Sequence, residues 1–545
     1  MEVFEVIIAL LLGGAGLAAL ARRIGTPYPA LVALAGAALA LIPGTPTLVL
    51  DPALALTLFV APVLLDAAFD ASQRDLRENW RTVAGLALGA VALTTIVVAI
   101  VVRLLVPEMP WAAAIALGAI VAPPDAAAAT AVLKQLRPPH RLLVILEGES
   151  LFNDASALLV YRLAVGAIAA GSISLVGVVP MLLVVTVGSV VLGLVLAYLL
   201  PYVLNRIDDV ATAIVFQFCA TFAVWIIAEQ LHLSGILTLV TFAMVTSRRS
   251  GVQQPARVRI PSYAVWEFAV FVLNVLAFIL VGFQLKAILN RIDASTLMRY
   301  IGVAVAVTVA TILARIAWVS GAAAFSRWMC RPDLEGTSTR HDRVGLSRRA
   351  AAVVGWCGMR GIVTLAAALA LPTAHVGVPA FPYRDLILFT AFAVVLGTLV
   401  VQGMTLRPLM NVLKLEDDGS VEREVKLARV ETLRAGLAAI GDAPQQEMSD
   451  MLRRRYEVLL HRAESEMSNG GASPNGNGAD VQTARLDTAA VRAATSAERQ
   501  RLISLRADGT IGDAAFQRIE QELDWEELDL QQLVTDDDER ESERE

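Results

Sequence analysis

Apolar runs long enough to cross a bilayer follow one another through most of the chain, separated by clusters of Arg, Pro or Gly. A spanning helix needs about 20 apolar residues. The pattern predicts about thirteen such helices, over 3–20, 28–44, 52–70, 82–106, 111–134, 143–170, 173–203, 208–230, 232–248, 263–288, 299–327, 350–372 and 384–411. Beyond Leu413 the pattern changes. Apolar positions spaced i, i+3, i+4 among charges predict amphipathic helices over 421–440, 448–467, 490–506 and 512–534. Between them SNGGASPNGNGAD, 468–480, has the composition of a flexible linker. The acidic end DDDERESERE reads as disordered. Two domains are therefore expected, a membrane part over 1–413 and a helical tail over 414–545.

Two of the spans are interrupted halfway. Pro123 and Pro124 precede Asp125 in the fifth, and the polar, glycine-punctuated stretch from Gly355 to Gly361 divides the twelfth. Adjacent prolines remove two backbone donors and leave carbonyls without helical partners. At membrane depth such carbonyls must be buried in protein, line a cavity or bind a cation. The breaks lie seven spans apart, the separation expected if spans 1–6 and 8–13 are inverted repeats with corresponding broken helices. Two unrelated kinks are the plainer alternative, since transmembrane helices tolerate Pro and Gly.

Composition fits a polytopic membrane protein, with 56% of 545 residues hydrophobic. The net charge of −6 hides a split. From Lys414 onward there are 30 acids and 17 bases, a balance of −13, which leaves +7 on the membrane part. Loops after odd-numbered spans hold 19 Lys and Arg, against 5 after even-numbered ones. The positive-inside rule then places the odd loops and the tail in the cytoplasm and Met1 outside. The first span starts almost at Met1 without a basic leader, so it reads as a helix rather than a cleaved peptide. Cys219, Cys330 and Cys357 show no metal spacing, and the five histidines are not clustered. No phosphate loop, nucleotide fingerprint or basic nucleic-acid patch occurs, and DGTIGD from Asp508 reads as a helix cap rather than a calcium loop.

The densest chemistry lies in EGESLFNDASALLVYR, Glu147 to Arg162, within the sixth span. Ser150 and Asp154 are four residues apart and share a helix face, with Asn153 about 100° round and Glu149 near the same side. An ionisable group at membrane depth costs about 2.5–3.5 kcal/mol on insertion scales and marks ion or proton pathways by default. A carboxylate that merely pairs with an arginine for packing is the bland alternative, and it applies more to Glu149 than to Asp154.

GESLFNDASALLVYR resembles the signature of the bacterial sodium/proton exchangers of the monovalent cation:proton antiporter-1 family, whose ion-binding helix carries Gly-Glu-Ser-Leu-x-Asn-Asp. VLLDAAFDASQRDLRENW near Asp66, APPDAAAATAVL around Asp125, GWCGMRGIVTLAAALALP around Arg360 and the late run ERQRLISLRADGTIGDAAFQRIEQELD extend the likeness over nearly the whole chain. The resemblance implies an all-α fold with inverted repeats, two broken helices and a cytoplasmic regulatory tail. It also implies a homodimer in the cytoplasmic membrane, transporting a monovalent cation against H⁺ with no prosthetic group and no enzymatic step.

Asp154 would be the shared carrier of cation and proton, with Ser150 as a further oxygen ligand for Na⁺. Family members with Asn at the position of Asn153 are taken to exchange one for one. Asp125 stands where relatives show Thr-Asp-Pro, but Pro124 precedes it here, so a ligand from this point would be the Pro124 carbonyl. Arg360 matches the family's intramembrane arginine and is expected to pair with Glu149, while Arg315 would serve Asp66, Glu267 or another acid. Arg162 is expected outside the site. A cation channel would show a symmetric pore motif, and an intramembrane hydrolase would need a base beside Ser150; the sequence has neither.

Overall fold

The computed structural model describes residues 2–43, 52–136, 138–170, 175–204, 206–207, 209–253, 255–290, 292–329, 346–373, 381–415, 417–441, 447–468 and 488–542. Every described element is helical. In the first half, α1 (Glu2–Ile24) and α2 (Tyr28–Ala40) precede α3 (Pro52–Ala55), which passes through a π-helical turn into α4 (Ala61–Asp70). Helix α5 (Gln73–Ala84) likewise continues through Gly85–Ala90 into α6 (Val91–Leu105). Then come α7 (Trp111–Val121), α8 (Ala126–Leu136) and α9 (His140–Ala170). The second half comprises α10 (Leu175–Leu204), α11 (Val210–Gln230), α12 (Gly235–Gln253), α13 (Ala256–Leu289), α14 (Ala294–Met329), α15 (Arg348–Trp356), α16 (Ile362–Leu369) and α17 (Arg384–Leu413). The tail contributes α18 (Ser420–Gly441), α19 (Glu447–Ser468), α20 (Thr488–Ala507) and α21 (Asp513–Ser542).

Packing sorts the membrane helices into two groups. Helices α1, α2, α4 and α10–α13 pack chiefly on one another, while α5–α9 and α14–α17 form a second bundle that holds both broken pairs. The first group is closed tightly at one point. Gly36 on α2 and Gly282 on α13 face each other so closely that a Cβ on Gly36 would lie 2.5 Å from the Ile279 carbonyl and one on Gly282 2.6 Å from the Ala33 carbonyl. Only glycine fits such a backbone approach.

Eight helical segments among the described residues are long and apolar enough to cross a bilayer unaided, fewer than the thirteen expected. Elsewhere an expected span is short, as at Tyr28–Ala40, is broken, as at α15 and α16, or carries charge, as in α12 with Arg248 and Arg249. The fourth span starts nine residues ahead of the expected 82, at Gln73. Ser72 caps it by accepting from the Asp75 amide, and the polar first turns extend the helix past the apolar run that signalled it.

Tail helices fall within two or three residues of expectation except at the end, where α21 runs on through Ser542 instead of losing order at 536. Glu and Arg, frequent in this stretch, are good helix formers. From residue 469 the expected linker lies outside the described residues. The DGTIGD stretch is the cap expected, with Gly509 at φ +71° and the Thr510 amide donating back to the Leu505 carbonyl.

Candidate functional site

The two broken helices meet at their breaks. The Asp125 amide donates to the Met359 carbonyl at 2.7 Å, joining the first interruption to the second. A Cβ on Gly361 would fall 1.8 Å from Asp125 Oδ2, so the second interruption passes against the acid only because residue 361 lacks a side chain. The polar, glycine-rich sequence of 355–361 thus permits an approach that a helical run would block.

Four half-helix ends gather here, and each is matched in sign. Arg360, fully buried, donates from Nε to the Val121 carbonyl at 2.9 Å and from Nη2 to the Ala122 carbonyl at 3.2 Å, closing the negative end of α7. It also donates to the Gly358 carbonyl within its own break, and its amide is held by Thr398 Oγ1 at 3.0 Å. Arg315 donates to the Val354 carbonyl at 3.0 Å near the negative end of α15. Asp125 accepts from the Ala127 amide at 2.9 Å and so caps the positive start of α8, while lying against the start of α16. Arginines sit on carbonyl ends and a carboxylate sits on amide ends.

Helix α9 lays the acid stretch along this crossing. Glu149 is 1% exposed and gives both carboxylate oxygens to Arg315, at 2.5 and 2.9 Å. The expected Glu149–Arg360 pair therefore does not form: Arg360 is spent on carbonyls, and Arg315 on α14 takes the acid. Ser150 Oγ accepts from the Ala126 amide at 3.4 Å. Asn153 donates from Nδ2 to the Pro124 carbonyl at 3.0 Å, so the prolyl oxygen considered as a cation ligand already has one partner. Asn153 Oδ1 is buried without a hydrogen-bond partner, an acceptor available to water or a cation. Asp154 is 6% exposed and makes no hydrogen bond or ion pair among the described residues, with Asp125 as the charged group near enough to act on it.

Other polar groups fall elsewhere. Asp66 and Glu267 line a cavity of about 530 Å³ together with Tyr28, Asp70, Lys134 and Asn274, and neither is the partner of Arg315. Asp154 is not in the lining, though Tyr28 is within electrostatic range of Asp125. Arg162 pairs with Glu229 at 2.9 Å on the exposed side, outside the site as expected. Sequence reasoning missed Thr398 and the pairing of Arg315. A hydroxyl inside the apolar run of α17 was the available signal for Thr398, but nothing in spacing could match an arginine to an acid 166 residues away.

Broken half-helices crossing in the middle of a bundle, with one unpaired carboxylate on the helix alongside, define a secondary transporter built from inverted repeats. Residues 6–412 match the family described as sodium/hydrogen exchanger, transmembrane, and the chain belongs to that family. It is 32% identical over 526 residues to a protein of Mycobacterium tuberculosis named as an uncharacterized Na⁺/H⁺ exchanger, covering 93% of this chain and 92% of that one. A sodium, potassium, lithium and rubidium/H⁺ antiporter of Bacillus pumilus is 28% identical over 463 residues, covering 81% of this chain and 66% of that one. The fold is also that of the sodium proton antiporter MjNhaP1 from Methanocaldococcus jannaschii, with a TM-score of 0.57 at 20% identity over 76% of this chain and 99% of that one.

Proposed function

We propose that the chain exchanges Na⁺, with K⁺ or Li⁺ as alternative cargo, for H⁺, and that Asp154 carries cation and proton in turn. One observation bears most of the weight: at a crossing where Glu149, Arg315, Arg360 and Asp125 are all engaged, the Asp154 carboxylate has no bonded partner. An ionised carboxylate there binds a hard cation through oxygen, helped by Ser150 and Asn153 Oδ1. A protonated one is neutral and binds none. Asn153 before the acid supports one-for-one, electroneutral exchange, and the Bacillus relative's name supports a cargo range wider than Na⁺.

The odd-loop arginines support a cytoplasmic-membrane protein with its amino terminus outside and its tail inside. We read the α1, α2, α4 and α10–α13 group as the scaffold and as the homodimer surface, with the broken-helix bundle moving against it.

The test is internal pH of proteoliposomes after external NaCl, KCl or LiCl. Saturable alkalinisation without net current is expected. Asp154→Asn should reconstitute yet show only the lipid leak, and Asp154→Glu should keep part of the activity. Cation and proton compete for one group, so raising Na⁺ should extend activity to lower pH. Exchange by Asp154→Asn, or Na⁺ uptake that releases no proton, would show that the carrier is elsewhere.

A further inference from the structure

The tail is tied to both groups of membrane helices. Six residues separate the end of α17 from the start of α18, so the tail is a covalent extension of the broken-helix bundle. Glu424 on α18 strengthens that attachment by pairing with Arg74 of α5 at 3.3 Å, and within the tail it accepts from the Gly512 amide at 2.6 Å. Within the tail α18, α20 and α21 share one apolar core, including Val425, Leu502, Leu505, Phe516 and Ile519, and Arg429–Glu522 and Arg518–Glu422 join α18 to α21 at 2.6 Å each.

The far side of this unit grips the other group. Arg259, near the start of α13 and 2% exposed, donates to Asp524 of α21 from Nε at 2.6 Å and Nη2 at 2.5 Å, with Glu520 at 3.3 Å from Nη1. Asp524 is fully buried and also holds Arg499 of α20 at 2.8 Å. Two turns before Asp524 on α21, Gln517 donates to Asp70 of α4 at 3.3 Å, and Gln521, one turn before it, forms part of the wall of the cavity that Asp66 and Glu267 line.

From this geometry we infer that the docked tail is a strap across the two moving parts, with Arg259–Asp524 as its latch, and that it slows exchange until α21 lets go. A bundle cannot shift against the scaffold while a folded unit fixed to one is bonded through buried charges to the other. Either the latch opens or the chain turns at the junction, where Lys414 and Gly419 both hold positive φ, +46° and +61°. Opening also removes Gln521 from the cavity wall and widens the approach to Asp66. The inference rests on the exchange reading above, because it is a rate that the strap controls.

The experiment uses the full chain in proteoliposomes, with Asp524→Asn and Arg259→Gln to open the latch and Arg259→Lys to keep its charge. The first two should exchange faster by about threefold or more, as expected when most molecules are held in an incompetent state, and Arg259→Lys, which keeps the charge but not the forked bond to Asp524, should accelerate less. Hydrogen exchange supplies a second readout, in which α21 amides should lose most protection in the two fast variants and less in Arg259→Lys. Gln517→Ala with Gln521→Ala buries no unpaired charge, so it keeps the test alive if a latch variant folds poorly; it should give a smaller acceleration in the same direction. Released α21 with unchanged or slower exchange overturns the strap, as does α21 that stays protected without the latch. An unaltered chain that moves no protons on cation addition sinks the exchange reading instead, and α21 protection still decides whether Arg259–Asp524 holds the tail.

Discussion

Glu149 and Asp154 lie five residues apart on one helix and meet opposite fates, one clasped by a guanidinium and the other left without a bonded partner. Removing one member of a buried ion pair strands the other charge, at a cost of about 3–5 kcal/mol, whereas removing both is often close to neutral. Arg315→Ala should therefore lower folded yield and thermal stability sharply, and Glu149→Gln with Arg315→Met should recover much of the loss. Detergent-solubilised melting temperatures check this; an Arg315→Ala protein as stable as its parent would mean the pair holds nothing together. The acid stretch itself was legible in the sequence because carboxylates at membrane depth are costly and need a purpose. Its partner was not, since Arg315 and Arg360 are both intramembrane arginines and only the fold decides which one reaches Glu149.

At the scale of elements, both breaks were visible as Pro-Pro and as glycine-punctuated polar sequence, but their reciprocity was not. Asp125 caps its own half-helix, but the ends of α7 and α15 are neutralised by arginines from other helices or the opposite break, and Arg360 does so at main-chain carbonyls that carry no sequence signature. The tail helices were legible from periodicity, while the docking of α21 was not, because its contacts are polar and distant in sequence. That docking has a pH dependence of definite sign. Burial pushes the Glu520 carboxyl above its ordinary value, with Arg259 pulling it down and Asp524 opposing that, and Arg499 and Arg506 also facing it. An undocked Glu520 titrates at the ordinary value, so docking takes up a proton. The contribution is complete below the ordinary glutamate pKa and is lost as pH rises through the raised one. Protection of α21 amides, measured in steps upward from acid pH, should fall over that window in the unaltered chain and stay flat in Glu520→Gln. Equal slopes in the two would assign the effect to another group.

For the whole molecule, hydropathy located nearly every element, including short, broken and charged segments that borrow their burial from neighbours and are not apolar enough to cross a bilayer alone. Tail and membrane part differ in composition as well as in packing, and Asp154 and its surroundings lie wholly within the second. A chain ending after Asp418 should therefore still exchange in vesicles, with a changed rate or pH response. A folded, truncated protein with no exchange at all would make the tail part of the transport machinery. The crossing ties the two halves of the chain through atoms that substitution does not alter. Arg360 serves carbonyls contributed by the opposite half of the chain, and a main-chain carbonyl is the same whichever residue carries it, so substitutions at 121 and 122 leave the acceptors in place. Loss of Arg315 strands an acid that a second substitution can neutralise, whereas loss of Arg360 strands the Val121 and Ala122 carbonyls, which only another donor can satisfy.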